Sequence, residues 1–63
     1  MAPHQQRVVT EKEELDDKLT KLKAFFGTEI FAGLDEAEME RLQRQADHMS
    51  AYSGVLGERI AAF

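Results

Sequence analysis

From Met39 to Phe63 an apolar or very small residue returns every three or four positions without a break: Met39, Leu42, Ala46, Met49, Ser53, Leu56, Ile60 and Phe63. Alternating steps of three and four mark one face of a helix with a heptad seam, and three heptads fit this stretch. An earlier segment repeats the pattern, with Val8, Leu15, Leu19, Leu22 and Phe26 spaced by seven, four, three and four. Two apolar helical faces joined by a short connection pack against each other as antiparallel neighbours. Pairing positions whose numbers add to about 64 sets Leu22 against Leu42, Leu15 against Met49 and Val8 against Leu56, apolar on apolar throughout. The predicted fold is therefore all-α, an antiparallel two-helix hairpin forming one domain over residues 1–63, with helices over about 4–26 and 35–63 and a hinge over 27–34.

Local signals set these limits. Thr10 with Glu13 reads as a capping box, whereas Pro3 suits the first turn of a longer helix. The earlier start is preferred because Val8 extends the Leu15 and Leu22 face by a full heptad. Acidic residues crowd the first half of this helix and Lys18, Lys21 and Lys23 its end, the order that complements the helix dipole. Glu14 with Lys18 and Asp17 with Lys21 have the favourable spacing for ion pairs. Gly27 is expected as a left-handed cap, the stretch from Thr28 to Leu34 as a hinge too short for more than one helical turn and anchored by Ile30, Phe31 and Leu34, and Asp35 with Glu38 as the N-cap of the second helix.

So short a chain buries a small share of its surface, and it has no cysteine for a disulfide staple. Two distant histidines, His4 and His48, do not suggest a metal site. Self-association is the remaining route to stability, and Phe25, Tyr52, Val55, Ala61 and Ala62 lie off the seam where another copy would cover them. Gly54 and Gly57 join Ser50 and Ala61 in a stripe of small residues that either admits a close neighbour or loosens an exposed helix end.

A net charge of −4 argues against a broad surface for DNA or RNA. The longest apolar runs, such as Ala24 to Phe26, are far too short to span a bilayer, and the first residues lack the apolar stretch of a secretory signal. The acids read as a solvated face and Ser50 or Ser53 near His48 as chance adjacency, so no catalytic residues, metal or cofactor are expected and the chain reads as a non-enzyme. Two stripes are more informative. Arg7, Glu11, Glu14, Lys18 and Lys21 on helix one, and Gln45, His48, Tyr52, Val55 and Arg59 on helix two, run beside the seam. Together they offer cations for phosphates and a phenol ring for base stacking. The alternative is that Arg7 and Arg59 pair with Glu11, Glu14 or Glu58 and that Tyr52 is an interface aromatic.

The order Arg7-Val8, Glu14-Leu15, Lys18, Leu22, Phe26, Phe31, Leu34, Glu38, Leu42, Gln45, Met49, Tyr52-Ser53, Leu56, Arg59-Ile60 and Phe63 resembles a family of small phage and prophage proteins. These share the helical hairpin domain of the anti-CBASS and anti-Thoeris sponges, and the likeness runs from about Gln6 to Phe63. This chain is shorter and has no aromatic residue near its start. The resemblance implies a homo-oligomer, often a hexamer, that sequesters a cyclic di- or trinucleotide or an ADP-ribose-derived signal between protomers, in the cytoplasm of a bacterial host. On that reading Arg7, Lys18, Lys21 and Arg59 would hold phosphates, Tyr52 would stack on a base, and Gln45 or Ser53 would meet base or ribose edges. The competing reading is a non-catalytic oligomeric coiled-coil or protein-interaction module.

Overall fold

A computed structural model describes all residues 1–63 as three helices and no strand: α1 (Pro3–Phe25), α2 (Glu29–Ala32) and α3 (Glu36–Ala61). α1 and α3 lie against each other along a body of 46 × 14 × 13 Å, and the single turn of α2 closes the tip.

α1 begins at the earlier of the two expected starts. Pro3 occupies the first turn, where its missing N–H would have had no partner, and the Ala2 N–H donates to Gln5 Oε1 at 2.9 Å. Thr10 therefore lies inside the helix and caps nothing. Asp17 and Lys21 form the expected ion pair at 2.9 Å. Glu14 and Lys18 do not pair, and Lys12 with Asp16 pair instead at 2.8 Å.

The tip departs from the sequence reading in two places. No residue has a positive φ, so Gly27 is not a left-handed cap. The helix end tightens instead into i→i−3 bonds, from the Gly27 N–H to the Ala24 carbonyl at 3.2 Å and from the Thr28 N–H to the Phe25 carbonyl at 3.0 Å. That geometry remains right-handed and uses none of glycine's extra freedom. The Thr28 hydroxyl donates to the Phe25 carbonyl at 2.7 Å and accepts from the Phe31 N–H at 3.2 Å, which ends α1 and starts α2 with one side chain. Ile30, expected as a hinge anchor, is 70% exposed. Adjacent residues on one helical turn point about 100° apart, so only one of the two can face the hairpin. That one is Phe31, which is buried against Phe26 at 4.9 Å between ring centroids and meets Phe25 edge-on at 5.9 Å.

Asp35 caps α3 as expected, its Oδ1 accepting from the Glu38 N–H at 2.8 Å. Glu38 does not return the bond, because its carboxylate is turned to Arg41 at 2.8 Å. α3 ends at Ala61, so Phe63 lies past the helix and half-exposed rather than on the seam. Inside the hairpin Val8, Leu19, Phe31, Ala46, Ser53 and Leu56 are buried, and only Leu56 completely so. The interior is a single file of side chains with no deeper layer.

Candidate functional site

The polar contacts between the helices determine which residues share an edge. Lys12 Nζ donates to Asp16 Oδ2 and to the Ser53 hydroxyl, both at 2.8 Å, and the Ser53 hydroxyl donates in turn to Asp16 Oδ1. Lys12 Cε also passes 3.5 Å from where a side chain on Gly57 would begin. These contacts put Lys12 and Asp16 of α1 beside Ser53 and Gly57 of α3 along one edge. The numbers in these pairs add to 65 or 69, slightly above the expected 64.

Tyr52 precedes Ser53 and so turns about 100° away from it around α3, onto the opposite flank. Gln45, His48, Val55 and Arg59 follow Tyr52 at steps of three and four, and all are exposed. Arg7, Glu11, Glu14, Lys18 and Lys21 occupy the matching flank of α1, exposed as well. A register between 65 and 69 runs the two rows side by side and, to within about one turn, sets Arg7 at the height of Arg59, Glu11 of Val55, Glu14 of Tyr52, Lys18 of His48 and Lys21 of Gln45. This edge is cationic at both ends, with two carboxylates, a phenol ring and a valine between.

Six of the seven residues singled out in the sequence thus fall on one exposed edge, and Ser53 does not. It is 7% exposed, and its hydroxyl is engaged by Lys12 and Asp16 within the chain. The side chains of Arg7, Lys18 and Arg59 make no ion pair or hydrogen bond with another residue of the chain; in particular the arginines do not pair with Glu11, Glu14 or Glu58. Lys21 is tied to Asp17, and Gln45 Nε2 lies 4.0 Å from the Met49 sulfur. Tyr52 is 45% exposed, enough to offer a ring face. The hairpin encloses no pocket, and no three His, Asp or Glu side chains gather as metal ligands. No helix is long and apolar enough to cross a membrane.

The Lys12, Asp16 and Ser53 cluster is absent from the sequence reading, which takes the acids as a solvated face and gives Lys12 no role. The signal was present: Lys12 follows Val8 by four and precedes Leu19 by seven, so a charge stands in the apolar seam opposite the one hydroxyl in the seam of α3. The Lys12 hydrogen bond, followed by that of Ser53, holds the Asp16 carboxyl below the usual carboxylate range, against a smaller upward push from desolvation. A depressed folded value stabilises the hairpin above the ordinary carboxylate pKa of about 3.9, and that contribution disappears as pH falls through the lowered value. Melting curves taken from about pH 5 downward should therefore fall more steeply for the wild type than for Asp16→Asn. Equal slopes would show that the cluster adds no acid-linked stability.

Comparison with known proteins supplies one match: the family model described as Sequestin aligns with residues 2–62. Neither the curated proteins nor the solved structures gave a match.

Proposed function

The chain belongs to the Sequestin family, and from that premise we propose that it is a sponge. It binds a cyclic nucleotide or ADP-ribose-derived immune signal stoichiometrically, at boundaries between copies of itself, and releases it without cleavage. The setting is phage-type evasion of immunity in the cytoplasm of a bacterial host, with a hexamer as the assembly. The family name itself speaks of sequestration. The observation that carries the reading to an anionic nucleotide is the pair of exposed guanidiniums, Arg7 and Arg59, level with each other and free of acidic partners within the chain, on the edge that also presents Tyr52. Guanidinium forks match phosphate oxygens two at a time, and a phenol ring stacks on any base. A single hairpin has no enclosed pocket, so enclosing a ligand of this size requires edges from more than one chain.

A thermal-shift panel of cyclic di- and trinucleotides and ADP-ribose isomers tests this directly. A ligand that binds only the folded assembly stabilises it by about 2.7 kcal/mol at a hundred times its dissociation constant. At least one member of the panel is expected to raise the melting temperature and to be recovered chemically intact from the complex. An unmoved transition across the panel would end the sponge reading, and recovery of a cleaved product would replace it with a hydrolase. The exposed apolar side chains Ile30 and Val55 favour the second reading, a protein-interaction module; that reading would be left standing if the protein assembles but answers to no ligand.

A further inference from the structure

We propose that Lys12, Asp16 and Ser53 form a positioning cluster that selects the hairpin register in which the Arg7 to Lys21 row comes level with the Arg59 to Gln45 row. The apolar seam alone discriminates weakly. Its members recur every three or four residues on both helices, and apolar contact is non-directional, so sliding α3 by one turn, about 5.4 Å, exchanges one apolar neighbour for another. The hinge between Phe26 and Asp35 includes one short helical turn and two glycines, a segment in which a turn can be wound or unwound.

The polar cluster has no such tolerance. Its two bonds to Ser53 are the only side-chain hydrogen bonds that join α1 to α3. Ser53 is the one hydroxyl on the α3 seam, and it is buried. Lys12 and Asp16 stand one turn apart on α1 with the hydroxyl between them, so a slip of one turn in either direction parts the hydroxyl from one of its two charged partners and sets it beside Val8 or Leu19 on that side. Losing one charged partner from a hydrogen-bonded arrangement of this kind is costly, whereas replacing all of its members by apolar side chains is often neutral. A single polar layer in a heptad seam fixes register by this asymmetry. The consequence for ligand binding rests on the sponge reading; the choice of register does not.

The absence of cysteine makes the test clean. Glu11→Cys is combined in turn with Val55→Cys, the level position, and with Tyr52→Cys or Arg59→Cys, one turn to either side along the same row. Intrachain joining by a short bifunctional thiol reagent is then scored by mass on the single-chain species. In the wild-type background only the 11 with 55 pair should join efficiently. In a Lys12→Met, Asp16→Leu, Ser53→Ala background, one of the displaced pairs should rise at least tenfold. Ser53→Ala alone, which deletes only the hydroxyl, should shift the same ratio to a smaller degree, and it decides the matter if the triple variant does not fold. Joining confined to the 11 with 55 pair in both variant backgrounds would show that the hinge and the apolar seam set the register unaided. No ligand enters this experiment, so its outcome is independent of whether the sponge reading holds.

Discussion

Leu56→Ala is expected to abolish cooperative folding at room temperature. Leu56 is the only side chain with no exposure at all, and truncating a fully buried leucine costs about 2–5 kcal/mol in lost transfer energy and residual cavity. Native domains retain only about 0.05–0.15 kcal/mol per residue of net stability, so a chain of this length has little more in total than the substitution removes. The single-file interior also leaves no second layer to collapse into the gap. The control lies one position earlier: Val55 is 52% exposed, and Val55→Ala removes a methyl pair that the hairpin's own core does not use. Far-ultraviolet circular dichroism with urea titration of both variants checks the contrast. Equal losses would mean that Val55 is buried to the same extent in the folded species, as it would be under a partner copy.

The second large effect concerns binding. Replacing Arg7 and Arg59 together by alanine should weaken capture of the responsive nucleotide by roughly a hundredfold or more, because hydrogen bonds to a charged group contribute about 1.5–3 kcal/mol each. Stability should hardly change, since neither guanidinium has an intrachain partner to lose. Titration calorimetry reports the first quantity and sedimentation the integrity of the assembly. If the double variant dissociates into smaller species before any ligand is added, the arginines belong to the contact between copies and not to the ligand. Tyr52→Ala serves as the companion: loss of affinity with assembly intact places the ring on the ligand.

Much of the fold was legible because helical periodicity is a one-dimensional property. Val8, Leu19, Ala46 and Leu56 are buried where the steps of three and four put them, and Asp35 caps α3 as its residue type demands. The failures share a cause. Gly27, Ile30 and Glu38 were assigned roles from what each residue type permits, but the Thr28 hydroxyl, the Phe31 ring and the Arg41 guanidinium respectively settled the outcome. At each of these positions a neighbour's side chain supplies the contact that the residue type alone does not specify.

The candidate site divides in the same way. That Arg7, Lys18 and Lys21 share a flank of one helix, and Gln45, Tyr52 and Arg59 a flank of the other, follows from spacing alone, because residues three and four apart stack on the same face. Right-handed helices packed seam to seam and antiparallel also have their matching flanks fixed, but the height at which the two rows meet is not, since that depends on contacts between residues about forty positions apart. The bonds from Lys12 and Asp16 to Ser53 supply that information. They withdraw Ser53 from the exposed edge and bring Arg7 level with Arg59. Amino-acid order determined two amphipathic rods and where each begins; packing between the rods, where a buried hydroxyl must find its charged partners, decided the height at which the two faces meet.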